Sequence, residues 1–249
     1  MPDERDKIRF MGRLDGKVSL ILGGAGFVGE GIVRSFLDEG AFVIVPSRSP
    51  ERLQGLRQVL GPAANERLVT VPANTGTVAG AEGLRDQILQ RMKRLDAVVA
   101  SLGGFREGAR LVDTPLEEFG KVLSDNLVVH FIAAKTFIPA LQAGSTYTFI
   151  AGLAGEIPQA RTGPVAVAMA GQQILQRVLA EEMRDTGVRI NELLVKSVMS
   201  RVRGEPGPET LTAEEVGAFA ARLASSEGAH WHGVQIRLLD RMSYEMAMR

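Results

Sequence analysis

The chain has 249 residues, 45% of them hydrophobic, with 29 Lys plus Arg against 29 Asp plus Glu and no cysteine. That length supports one α/β domain whose core needs no disulfide or metal, and zero formal net charge leaves no global field to recruit nucleic acid or an anionic membrane. The lack of Cys excludes disulfides, thiolate metal sites and a Cys nucleophile and fits a cytoplasmic protein; no apolar run reaches the roughly 18 residues that span a bilayer, and the charged N-terminus reads as an arm over 1–13 rather than a secretory signal.

From Lys17 the pattern is regular. Val18–Leu22 is a short apolar run that ends in glycines and reads as a buried parallel strand. Phe27–Glu39 has helical spacing and stops at Gly40. Ala41–Val45 is a second strand, and Pro50–Leu60 a helix that opens on proline. Arg67–Val71 is a third strand, Ala81–Met92 an amphipathic helix and Asp96–Ser101 a fourth strand. Leu116–Leu141 reads as one long helical stretch, followed by a strand at Tyr147–Ala151, a helix over Val165–Asp185 and a strand at Arg189–Val195. Arg201–Pro208 is Gly/Pro-rich and charged, hence a flexible loop or lid. Ala213–Ser225 is a helix capped by Thr212, and Val234–Leu239 the last strand. Alternation of strand and helix predicts a single-domain Rossmann fold over 14–249, a doubly wound parallel sheet of about seven strands with helices on both faces.

The strongest local motif is LGGAGFVG, Leu22–Gly29. Gly24, Gly26 and Gly29 fit G-x-G-x-x-G, and Gly23 adds a further glycine. The motif follows a strand and opens a helix, which is the context that a dinucleotide cradle requires. Glycines make the turn and admit a pyrophosphate, and the free N–H groups of the helix start face its charge. Gly23, Gly24, Ala25, Gly26, Phe27 and Val28 are therefore assigned to the cofactor. An NAD-selective site usually has an acid at the end of the second strand. This chain has Val45-Pro46-Ser47-Arg48 there, and Arg48 with Ser47 suits a 2′-phosphate, so NADP(H) is favoured over NAD(H).

From about Leu14 to Leu239 the chain resembles the short-chain dehydrogenase/reductase family. LDGKVSLILGGAGFVGEGIV is similar to the family's opening strand, glycine turn and helix, and PSRSPERL to its NADP-preferring turn. By this resemblance Asn74 and Thr75, after the third strand, lie near the adenine, and Ser101 and Gly103 belong to the turn after the fourth strand. Asn126 in DNLVVHF matches the family's active-site Asn. The family's Ser, Tyr and Lys fall on Gly152, Val165 and Met169, so its carbonyl chemistry has lost its proton-handling groups. The chain has only two tyrosines, Tyr147 and Tyr244, and no lysine between Lys135 and Lys196.

Several polar residues are candidate replacements: Lys196 at the nicotinamide end, His130 one turn after Asn126, Arg106, Glu107 and Arg110 after the fourth strand, and Glu156 and Arg161 after the fifth. Tyr147 starts its strand on the wrong edge for the site, and Tyr244 is near enough to the C-terminus to reach a neighbouring subunit. His230 and His232 flank Trp231 without a carboxylate and make no metal site. The resemblance implies a homodimer or homotetramer built on the Val165–Met183 helix, with Ile174, Leu175, Val178 and Leu179 on its apolar side. Three functions stay open: an oxidoreductase with an unusual proton donor acting on a small molecule, a non-catalytic NADP(H)-binding sensor, scaffold or partner subunit, and a non-redox enzyme in the same cleft.

Overall fold

A computed structural model describes residues 12–196, 198–199, 207 and 209–249. The predicted loop Arg201–Pro208, apart from Gly207, and the predicted arm, apart from residues 12 and 13, lie outside the described residues.

The apolar runs form strands of one sheet covered by helices on both faces, and all but the two edge strands have a neighbour on each side. β1 (Val18–Leu22) is buried at every position. It is joined by β2 (Phe42–Ser47), β3 (Leu68–Pro72), β4 (Ala97–Ala100), β5 (Thr146–Gly152), β6 (Arg189–Val195) and β9 (Gln235–Leu238) in one parallel sheet, ordered β3-β2-β1-β4-β5-β6-β9. α1 (Phe27–Asp38), α2 (Pro50–Leu60) and α7 (Ala213–Ala224) cover one face through Ile32, Phe36, Leu56 and Phe219. α3 (Val78–Met92), α5 (Val129–Phe137) and α6 (Gly163–Glu182) cover the other through Leu84, Ile88, Phe137 and Ala180. The strand order reverses between β1 and β4, which opens a crevice at the carboxyl ends of these strands.

Several boundaries differ from the sequence reading, each for a local reason. α3 starts at Val78 rather than Ala81 because Thr77 caps it, its Oγ1 accepting from Gly80 N at 3.2 Å. The stretch Leu116–Leu141 is helical almost throughout, as expected, but not uniformly α-helical. It breaks into α4 (Leu116–Leu123), a π turn at Ser124–Val128, α5 and a short 3₁₀ turn at Ile138–Ala140. In the widened turn Asn126 Nδ2 donates to Val122 O at 3.0 Å, a side chain taking up a main-chain acceptor.

Two features have no periodic signature. β7 (Val198–Met199) pairs in parallel with β8 (Leu211–Thr212). α8 (Arg241–Met248) is held by a reciprocal cap, Ser243 N donating to Asp240 Oδ1 at 2.7 Å and Asp240 N to Ser243 Oγ at 2.9 Å. Tyr244 in α8 is partly buried against the protein's own core. Tyr147 is wholly buried against Phe149 and is a core residue. The His230–His232 segment is a turn: Trp231 stacks on Phe219, and His232 bonds Ala180 O and Ile190 N.

Candidate functional site

The crevice has an outer and an inner part. The outer cleft, about 530 Å³, runs over the ends of β1, β2 and β3. Gly23, Ala25 and Gly26 line it, with Ser47, Arg48, Asn74, Thr75, Ser101 and Gly103. The inner pocket, about 230 Å³, continues under the start of α1, where Phe27 and Val28 line it, toward Gly152, Met169, Gln172 and Lys196.

The glycines divide their work differently from the simple motif. Gly23 adopts φ +76°, and a Cβ there would collide with Ser101 O. Gly24 does not line the cleft. Its backbone is wedged between Val33 and Val45, each 2.9 Å from where its Cβ would stand. Gly29 packs α1 against Gly23 and Gly24. The spacing that faces the crevice is therefore Gly23, Gly26 and Gly29. Gly26 caps α1 without a side-chain acceptor, so the first helical N–H groups are open to a phosphate. These features fit a pyrophosphate on backbone donors alone.

Arg48 is exposed at the mouth of the outer cleft just before α2, and Arg52 lines the cleft from the first turn of that helix. Neither makes an ion pair among the described residues. Ser47 Oγ accepts from Ser49 N at 3.2 Å, which shapes the turn. Asn74 Oδ1 accepts from Gly76 N at 3.2 Å and braces the next turn. The acid in the outer cleft, Asp125, is paired with Lys121 at 2.7 Å.

Asn126 lies at the seam between the two parts. Its Oδ1 accepts from Gly104 N at 2.7 Å while Nδ2 holds Val122 O. Gly103, at φ +83°, passes so close that a Cβ would strike Asn126 Oδ1. Asn126 thus fastens the loop after β4 to the π turn. His130 is fully buried behind this loop, its Nε2 3.3 Å from Leu102 O and its ring stacked on Phe149. Burial pushes its imidazole down to about 4, against a weaker opposing effect of the Leu102 carbonyl. It is a packed histidine outside the pocket.

Of the three positions where the resemblance misses Ser, Tyr and Lys, Gly152 and Met169 line the inner pocket and Val165 does not. Val165 is buried beside a crevice of about 10 Å³ near Arg106, Glu118 and Arg161. Lys196 is exposed just beyond Val195, the strand partner of Gly152, and among the described residues is the ionisable side chain of the inner pocket.

Most of the remaining charged candidates are paired with other groups. Arg106 lines the outer cleft but pairs with Glu118 at 3.2 Å; Arg110 pairs with Asp113 at 2.6 Å and Glu156 with Arg237 at 2.7 Å. Glu107 is exposed. Arg161 Nε donates to Gly108 O at 2.9 Å and ties two loops together. Sequence reasoning missed Arg52, legible as the residue four after Arg48, and Gln172, three after Met169 on the same helical face.

The chain matches known proteins along most of its length. A family model described as enoyl-(acyl carrier protein) reductase matches residues 24–201. The chain is 30% identical to oxidoreductase asL5 of Sarocladium schorii, covering 87% of this chain and 92% of that protein. It is 28% identical to a 3-phenylpropionate-dihydrodiol/cinnamic acid-dihydrodiol dehydrogenase of Escherichia coli, over 93% and 88% respectively. A short-chain dehydrogenase of Burkholderia cenocepacia, solved in complex with NADP, superimposes with a TM-score of 0.80 at 22% identity, covering 90% of this chain and 97% of that one.

Proposed function

Because the chain belongs to the short-chain dehydrogenase/reductase family, we propose that it binds NADP(H) in the outer cleft and is an oxidoreductase whose inner pocket has exchanged the usual proton-handling groups for apolar ones. The observation that carries the cofactor reading is Arg48 with Arg52 beside the glycine cradle, both free of acidic partners among the described residues. Two guanidinium groups suit a 2′-phosphate, and no acid ends β2 to hold a ribose diol. The B. cenocepacia structure carries NADP in the same fold.

A bound nicotinamide supplies a hydride. Gly152 offers no hydroxyl to polarise a carbonyl and Met169 no cation beside the ribose. Among the described residues Lys196 is the ionisable group of the inner pocket able to donate a proton. Carbonyl reduction by this chain therefore depends on Lys196 or on water. Calorimetry with NADPH, NADP+, NADH and NAD+ tests the cofactor reading, and failure to bind any of them removes it. A screen for NADPH oxidation with carbonyl, imine and quinone substrates, repeated on Lys196→Ala, tests the catalytic one.

One observation favours a second reading, a non-catalytic NADP(H) sensor or partner subunit: the thioether of Met169 fills the space over Gly152. Robust turnover by the unmodified chain excludes it. In either reading we propose a homodimer or homotetramer. Leu175 and Leu179 pack on the protein's own core, whereas Ile174 and Val178 form an exposed pair one turn apart on α6, with Phe131 and Val128 exposed near α5.

A further inference from the structure

The inner pocket is apolar along most of its wall, through Met169, Phe105, Ile150 and Val195. Within it Gln172 is an exception of an unusual kind. The residue is only 3% exposed, yet it lines the cavity. Its orientation is fixed by chemistry. β4 ends at Ala100, paired with Phe149, so β5 runs on past its neighbour. Gln172 Nε2 donates to Ile150 O, beyond that end, at 3.1 Å. A main-chain carbonyl only accepts, so the amide nitrogen must face the strand and the amide oxygen must turn the other way. Among the described residues Oε1 takes no hydrogen bond, and it is not sealed from solvent space.

We infer that Gln172 Oε1 is the specificity-determining acceptor of the inner pocket, and that the pocket selects a neutral hydrogen-bond donor, a hydroxyl carried on an apolar body, over a carbonyl that can only accept. Because Oε1 opens on the cavity, water satisfies it in the free protein; a ligand hydroxyl that displaces this water reproduces the hydrogen bond, whereas a ketone oxygen aimed at Oε1 loses it and adds repulsion. Asn126 is a lesser donor to a carbonyl, since its Oδ1 accepts from Gly104 N and one of its two Nδ2 hydrogens is taken by Val122 O. Lys196 favours the opposite class of ligand, but it is exposed and its attraction is screened. Gln172 stands three residues after Met169, so it presents this acceptor on the helical face that carries the exchanged position.

The inference rests on the NADP(H) reading only in taking the inner pocket as the substrate end. Its test uses two redox-silent probes on the NADP+-saturated protein: 2-phenylpropan-2-ol, a tertiary alcohol that NADP+ cannot oxidise, and acetophenone, which NADP+ cannot reduce. Calorimetry or ligand-observed NMR is expected to show the alcohol binding about tenfold more tightly, the size of one well-made neutral hydrogen bond. Gln172→Leu, and Gln172→Lys, which keeps a donor toward Ile150 O, are expected to bring the ratio to within about twofold with NADP+ affinity unchanged. Equal or tighter binding of acetophenone by the unmodified protein overturns the inference, as does a preference for the alcohol that persists in a folded variant. If neither variant folds, the ratio in the unmodified protein decides alone. If NADP+ itself does not bind, the cofactor reading fails, and the same ratio measured on the cofactor-free protein still decides the role of Gln172.

Discussion

Met169 lies across Gly152: a Cβ at position 152 would stand 2.9 Å from both Sδ and Cε of the methionine. The two are adjacent on the wall of the inner pocket, so glycine at one makes room for the thioether at the other.

The close atoms belong to the far end of a flexible side chain, so Gly152→Ser is expected to fold with a loss below about 1.5 kcal/mol while Met169 swings into the pocket. Val165→Tyr is different. Val165 is sealed in the core, and the larger ring is expected to cost about 1–3 kcal/mol or more. Thermal melts of both single variants check this ordering. A milder effect at position 165 than at 152 would contradict it.

Arg48→Ala is expected to weaken NADPH binding about tenfold and to leave NADH within about twofold, because only NADPH has the 2′-phosphate. Raised salt is expected to narrow the difference, since the guanidinium is exposed. An equal loss for both cofactors in titration would assign Arg48 a structural role.

Asn126→Ala removes the acceptor for Gly104 N and the donor to Val122 O together. The expected cost is about 1–3 kcal/mol, with weaker cofactor binding as the loop after β4 loses its anchor. Gly103→Ala is expected to be at least as damaging, through both its left-handed backbone and the collision with Asn126. Denaturant unfolding together with NADPH titration measures both effects.

Two buried groups bound the pH range of stability. Burial holds the His130 imidazole down at about 4, so the folded state resists the proton that the unfolded chain takes up. Stability is therefore full above the ordinary histidine range and is lost as pH falls toward 4. Glu192 is wholly buried, with Oε2 accepting from Gln235 at 2.6 Å, and burial raises its carboxyl above the ordinary range. Its contribution is present at low pH and is lost as pH rises through the raised value. Glu192→Gln is expected to raise the melting temperature at neutral pH and to flatten the curve above the carboxylate range. An unchanged profile would contradict this.

Ile174→Glu with Val178→Glu is expected to give a folded monomer by light scattering, because it places charge on exposed apolar positions of α6 without touching the core. An unchanged mass would locate the contact between copies elsewhere.

The alternation of strand and helix, the glycine turn after β1 and Arg48 at the end of β2 are legible in the order of residues alone. These are local signals, since periodicity and turn chemistry report on one element and its immediate neighbours. Tertiary structure decided which glycines face the crevice, because Gly24 turns inward only through Val33 and Val45. It also decided that Val165 leaves the pocket, that Asn126 is held at both ends, and that Gln172 presents an oxygen unpaired among the described residues. Each of these depends on two segments far apart in the chain meeting at one strand end, and no pattern within either segment records where the other will lie.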